Sequence, residues 1–251
     1  MIIGDFHYPK INYRFWLSQH GDNNSDFIGL GLTTRLSNLQ KVNPTISQEV
    51  INLTSMNDAV VFIKNKISKL EKTDQDYLDI FDAINNWGGK TIQRGIIYSG
   101  ITLRNNINIR NWFGCYKLSA DLLGQKDNFL NGIAMMLKVP GLGVSFGSKH
   151  FAFWSYDNSR TAIYDSKISQ ILLRSRTPKK KDVLPFIESI NTLANNHPEF
   201  CHNMMPNEIE KALFAFHKYY WTNSGFWLLN EAGEDYDVAI QINECFVTKL
   251  K

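Results

Sequence analysis

The chain has 251 residues, 43% hydrophobic and 20% charged, with 27 Lys and Arg against 24 Asp and Glu for a net charge of +3. That length and apolar content suffice for one large domain or two smaller ones sharing a cleft, and they exclude a disordered tail. A mildly basic balance neither requires nor excludes DNA as a partner, because a duplex-binding face can gather its charge locally.

The start, Met-Ile-Ile-Gly-Asp, lacks a basic region followed by an apolar signal core, and no uninterrupted apolar run is long enough to cross a bilayer. The longest, 132–146, is broken by Lys138 and Pro140. Residues 1–50 are rich in Asn, Ser, Thr and aromatics, with short apolar clusters at Tyr13-Arg14-Phe15-Trp16-Leu17 and Phe27-Ile28-Gly29-Leu30. They read as an irregular or partly β segment packed on a helical body. Cys115, Cys201 and Cys245 form no paired framework and no CxxC ligand pattern, which points to a reducing cytoplasm.

Helices are predicted over much of 51–251. Residues 57–70 align Val60, Val61, Ile63, Ile67 and Leu70 along one stripe and leave Lys64, Lys66 and Lys69 to solvent. A second helix, 74–86, carries Tyr77, Leu78, Phe81 and Ile84 and stops at Trp87-Gly88-Gly89, an ordinary helix-ending composition. Residues 108–124 and 127–138 alternate apolar stripes with polar interruptions, with Met135 and Met136 as core filling.

The stretch 139–168, VPGLGVSFGSKHFAFWSYDNSRTAIYDSKI, then reads as glycine turn, helix, polar turn, extended return and a second helix start. Gly141, Gly143 and Gly147 permit close approaches that a Cβ resists, here to a nucleic-acid backbone, just before a helix expected over about 147–156. From Lys149 to Tyr156 a helix advances about 10 Å. After the Asp157-Asn158-Ser159-Arg160 turn, extended residues 161–165 travel back about 13 Å. Asp165 is therefore expected to return to the neighbourhood of Lys149.

An amine and a carboxylate so placed suit chemistry at a sugar carbon: the amine attacks and forms a Schiff base, while the carboxylate stabilises positive charge as a base departs. Two plainer readings stand beside that one. Asp165 opens Asp-Ser-Lys-Ile-Ser-Gln-Ile-Leu-Leu and suits an N-cap, and Lys149 suits a solvated position. Phe151, Phe153 and Trp154 read as core beneath Lys149.

Farther on, Arg174-Ser175-Arg176-Thr177-Pro178-Lys179-Lys180-Lys181 concentrates positive charge, as a solvated loop or as a set of phosphate contacts. Another helix is predicted over 208–221, and Phe226-Trp227-Leu228-Leu229 with an acidic 231–237 loop closes the chain. No tandem repeat or recognisable metal-ligand cluster is evident.

The segment Phe146-Gly147-Ser148-Lys149-His150-Phe151, followed by Ala162-Ile163-Tyr164-Asp165-Ser166-Lys167-Ile168, resembles the active-site region of the helix-hairpin-helix DNA glycosylases, particularly the bacterial 8-oxoguanine DNA glycosylase-like group. In that superfamily a Gly-x-Lys at a helix start supplies the nucleophile, and an Asp beginning a later helix is the essential carboxylate. Lys149 and Asp165 match those positions. The turn Pro140-Gly141-Leu142-Gly143 ends six positions before Lys149, whereas the family's lysine follows its second glycine by two. Gly147 stands at that shorter distance.

The resemblance implies a mainly α, helix-hairpin-helix glycosylase-like fold of two helical lobes with the active site between them. In it, 1–50 form the small irregular or β segment and 51–251 the helical body, with 139–168 as the active-site region. The implied enzyme flips out and excises a modified base from double-stranded DNA, with 8-oxoguanine or another lesion as substrate, including a modified base of viral DNA. Lys149 is the nucleophile, able also to cleave the abasic site, and Asp165 the carboxylate. Gly141, Gly143, Gly147, Ser148, His150, Lys179, Lys180 and Lys181 are the implied DNA contacts. No cofactor, metal, membrane or obligate protein partner is implied. Two alternatives remain: a monofunctional glycosylase using water activated by Asp165, and a non-catalytic DNA-binding module.

Overall fold

In the computed structural model, which describes residues 1–20, 47–53, 55–87, 112–139, 142–175 and 177–220, the chain is mainly α. An antiparallel hairpin of β1 (Ile2–Ile3) and β2 (Phe6–His7) precedes α1 (Tyr13–Gln19), α2 (Gln48–Ile51), α3 (Met56–Ile67), α4 (Asp74–Trp87) and α5 (Trp112–Leu123). There follow α6 (Phe129–Met136), α7 (Val144–Trp154), α8 (Ser166–Leu173), α9 (Val183–Asn196) and α10 (Pro206–Tyr220), with 3-10 turns at Lys126–Asn128, Asn158–Arg160 and Lys180–Asp182. The chain divides into two compact units: Asp22–Tyr156, and Met1–Gly21 together with Asp157–Lys251. Among the described residues no helix is long and apolar enough to cross a membrane.

The unit formed by Asp22–Tyr156 is built on helices whose starts are set by polar side chains. Ser55 Oγ accepts from Asp58 N at 3.0 Å while Asp58 Oδ2 accepts from Ser55 N at 3.1 Å, a reciprocal cap that satisfies two amides at the start of α3. The buried face of α3 is Ala59, Ile63 and Lys66; Val61 and Leu70, expected in the apolar stripe, are exposed. Lys66, expected in solvent, is only 9% exposed. Its Nζ lies 2.8 Å from Asp79, 2.7 Å from Glu49 and 3.2 Å from Asp76.

Burial alone lowers the pKa of such an ammonium, but the bonds from Asp79, Glu49 and Asp76 outweigh it and carry Lys66 above its ordinary range. Opposite charge on α4, 13 positions along the chain at Asp79 and outside the local period of α3, is what turns this lysine inward. Farther along, α5 and α6 pack closely at Gly132. A Cβ there would lie 2.7 Å from Leu123 N and 2.9 Å from Leu123 Cγ.

In the other unit the hairpin and α1 meet α8, α9 and α10. Phe6 packs on Tyr164 and Phe186, whose rings stack at 4.9 Å, and Trp16 meets Phe216 edge-on at 5.3 Å. Tyr8 Oη and Ser189 Oγ share a buried hydrogen bond of 2.7 Å. The Arg14 guanidinium donates twice to the His202 carbonyl, at 3.1 and 3.0 Å, where His202 and Asn203 both hold left-handed φ values of 57° and 58°. The N-terminal segment thus contains a helix, α1, where an irregular or β run was expected. Asn12 caps it by accepting from Phe15 N at 3.1 Å. Helix α9 was not anticipated; Pro185 falls in its first turn, where an amide proton has no helical partner.

The Gly132 contact is against backbone and cannot relax cheaply, so Gly132→Ala is expected to lower unfolding free energy by about 1–3 kcal/mol. Gly114, on α5 with nothing within 4 Å of its Cβ position, provides the contrast. Gly114→Ala is expected to raise stability by about 0.5–1 kcal/mol through helix propensity. Urea-unfolding midpoints that move in the same direction for both variants would contradict the close packing.

Candidate functional site

Lys149 belongs to the Asp22–Tyr156 unit and Asp165 to the other. On the lysine side, α7 begins at Val144 behind an extended Gly143 (φ −70°, ψ 167°), ahead of the start expected at Gly147. The Gly143 carbonyl accepts from Phe146 N at 3.1 Å and Gly147 N at 2.8 Å. The run Val-Ser-Phe is free of helix breakers, and Gly147 itself is tolerated inside the helix. Lys149 therefore sits in the second turn of α7 rather than the first.

The glycines separate by role. Gly143 is exposed, and a Cβ there would meet nothing within 4 Å, so its backbone is open to approach. Gly147 is buried, and its Cβ position lies 3.2 Å from Leu137 Cδ2, so its smallness serves internal packing. Gly141, with Pro140, lies outside the described residues.

Lys149 is not a solvated lysine: it is 8% exposed. Its Nζ lies 3.5 Å from the Ser145 carbonyl oxygen and 4.8 Å from the centre of the Phe146 ring. The apolar stem is covered, and the amine is held over a ring face that favours a cation.

Ser148 and His150, read from the sequence as DNA-facing, are both fully buried and present no surface to a duplex in this structure. Ser148 Oγ donates to Ser145 O at 2.9 Å. The His150 ring stacks on Phe81 at 5.2 Å, with Nδ1 3.1 Å from Tyr116 Oη and Nε2 3.3 Å from Asn85 Oδ1. Burial, and secondarily the charge of Lys149, push its pKa down to about 3. His150 is thus a neutral core residue that ties α7 to α4 and α5. Phe151 and Trp154 are buried as expected, while Phe153 is half-buried and meets Trp87 edge-on at 5.1 Å.

On the carboxylate side, Asp157 Oδ1 accepts from Ser159 N at 3.0 Å and shapes the predicted polar turn. Beyond it the backbone is extended at Thr161 and runs to Asp165, the N-cap of α8. Asp165 Oδ1 accepts from Lys167 N at 2.9 Å and Ile168 N at 3.1 Å. The capping reading is therefore realised, yet it uses one carboxylate oxygen; Oδ2 makes no hydrogen bond among the described residues. Asp165 is half-buried, so that oxygen is not sealed in the core.

Lys179, Lys180 and Lys181 are exposed around the 3-10 turn that leads into α9. In the same unit, Lys167 Nζ stands 4.0 Å from the Phe214 ring centre and His217 Nε2 lies 3.0 Å from Gln170 Oε1. Neither these pairs nor Tyr116 and Asn85 as partners of His150, which lie 34 and 65 positions away, are legible in the sequence. Local spacing carries no signal over such separations. No protein family, curated protein or solved structure matches the chain.

Folded His150 stays neutral down to about pH 3, whereas the unfolded imidazole takes its proton near the ordinary 6.5. Between these values the unfolded chain binds more protons, so this group's contribution is complete above 6.5 and is lost as pH falls, by about 1.4 kcal/mol per pH unit. His150→Gln is expected to lower stability at neutral pH and to remove that slope from urea-unfolding free energies measured at intervals below pH 6.5. An unchanged slope would show that His150 is protonated in the fold.

Proposed function

We propose that the protein is a DNA glycosylase that extrudes a modified base from duplex DNA and excises it, with Lys149 as nucleophile and Asp165 as the essential carboxylate. The observation that carries this reading is the burial of Lys149: a lysine withdrawn from solvent on a helix that starts behind the exposed Gly143, in a segment that resembles the glycosylase active-site region. The Asp165 oxygen left over from capping supplies the second requirement, a carboxylate held in place by a helix start.

In this mechanism the unprotonated amine of Lys149 attacks C1′ of the extruded nucleotide. The C1′–N bond breaks and its electron pair leaves with the base, which takes up a proton from solvent. Asp165 stabilises the positive charge that develops on the sugar. Ring opening then gives a Schiff base between Lys149 and C1′, from which loss of a C2′ proton expels the 3′ phosphate. Unstacking costs least for a damaged or mispaired base, which favours the lesion before chemistry begins. The exposed Gly143 backbone and Lys179, Lys180 and Lys181 supply phosphate contacts in this reading, with a salt-dependent affinity that is independent of sequence.

Borohydride trapping on duplexes that carry single modified bases tests the proposal. Wild type is expected to give a covalent adduct on its substrate, Lys149→Gln none, and Asp165→Asn a base-excision rate lower by about 100-fold or more, in the range of a lost charge-stabilising group. Asn is as good an N-cap as Asp, so Asp165→Asn separates the carboxylate's chemistry from its capping. Its unfolding free energy is expected to stay within about 0.5 kcal/mol of wild type, whereas Asp165→Ala loses about 1 kcal/mol. Base release without an adduct would instead assign attack to water activated by Asp165. Salt-sensitive duplex binding with no release from any lesion or from modified phage DNA would leave a binding module.

A further inference from the structure

The hydrogen-bond chain around His150 fixes its own protons. An indole N–H can only donate, so Tyr116 Oη accepts from Trp154 Nε1 at 2.9 Å. Burial holds the Tyr116 hydroxyl well above its ordinary pKa, so it keeps its proton and donates a hydrogen bond to His150 Nδ1, the acceptor within reach. With Nδ1 accepting, the neutral ring carries its proton on Nε2 and donates it to Asn85 Oδ1. Asn85 must therefore turn its oxygen toward His150. Its NH2 group, on a side chain only 7% exposed, is left with no acceptor among the described residues.

A buried amide without an acceptor is costly, and one kept in a folded protein calls for a ligand or a strained role. Its surroundings point to a ligand. Asn85 bonds to the residue after Lys149, and Trp87, two residues farther along α4, meets Phe153 one turn farther along α7. The end of α4 and a single turn of α7 thus carry, among them, the Lys149 amine, an unused pair of amide donors and two half-buried rings. Phe146, Phe151 and Trp154, the other aromatic residues of α7, are buried.

Resting on the glycosylase reading, we infer that this corner reads the extruded base and selects a keto base over its amino counterpart. The heterocycle lies against Trp87 and Phe153, and its exocyclic oxygen accepts from Asn85 Nδ2. The Asn85 oxygen is committed to His150, so the amide can only donate. A carbonyl at C6 of a purine or C4 of a pyrimidine satisfies it, whereas an amino group at that position sets donor against donor. The amide is covered in this structure, so the base reaches it only when side chains at the end of α4 rearrange.

The test uses duplexes that differ only in hypoxanthine or adenine at one 2′-fluoro nucleotide, which resists excision, with binding followed by fluorescence anisotropy. Wild type is expected to prefer hypoxanthine by about tenfold, the scale of one hydrogen bond gained against one repelled. Asn85→Asp keeps the acceptor for His150 but replaces the NH2 group by oxygen, and is expected to abolish the preference. Trp87→Leu is expected to weaken both complexes. Equal wild-type affinities, or a preference that survives Asn85→Asp, overturns the inference.

Borohydride trapping on an abasic duplex, which offers no base to read, is expected to fall by less in Asn85→Asp than the affinity for the hypoxanthine duplex does. A parallel loss there would make Asn85 a structural residue and also overturns the inference. Failure of wild type to trap the abasic site while the hypoxanthine preference persists would remove the chemistry assigned to Lys149 and leave base selection by Asn85 standing.

Discussion

The rotation of α7 about its own axis decides where residue 149 sits, and a neutral imidazole sets that rotation. His150 bonds through one nitrogen to α5 and through the other to α4, with its ring face on Phe81. Hydrophobic contacts alone tolerate some turning of a helix in its groove, because they are not directional. Two hydrogen bonds to opposite ring atoms do not. In a dry interior such a network is strong when satisfied and costly when broken, so the helix has one setting rather than several. The amine of Lys149, one residue earlier, inherits it.

The parts of the fold that were legible in the sequence are those whose cause is local. The helix within 57–70, the apolar positions of 74–86, the polar turn at 157–160 and the cap at Asp165 all depend on residues within a few positions of one another, and all appear with shifts of a few residues at their ends. The mainly α character followed from them. What was not legible depends on partners distant in sequence. Lys66 reads as a solvent-facing lysine until Asp76 and Asp79 are brought against it by the packing of α3 on α4. Helix α1 is too short to show a period, and it is held by Trp16 against Phe216.

The site divides in the same way. Asp165 could be read as a cap because capping is a matter of two or three residues, and the structure adds that the cap leaves one oxygen over. The setting of Lys149 could not be read so. Its burial depends on how α7 is set against α4 and α5 through His150, and a helix start moved from Gly147 to Val144 shifts the lysine by most of a turn. Ser148 and His150 illustrate the hazard of carrying a contact role along with a motif: once Lys149 is placed, they fall on the inward side of the helix.

Chain order adds a constraint on synthesis. One unit is continuous, Asp22–Tyr156, while the other joins Met1–Gly21 to Asp157–Lys251, so the first is threaded as an insertion within the second. Tyr8 reaches its partner Ser189 only across 181 positions. On the ribosome the β hairpin and α1 emerge before α9 and α10, and Trp16 stays uncovered until Phe216 of α10 has been made. The inserted unit is made in full during that interval and can complete its core before the outer unit does. The early, exposed aromatic segment is then the stretch most in need of a chaperone.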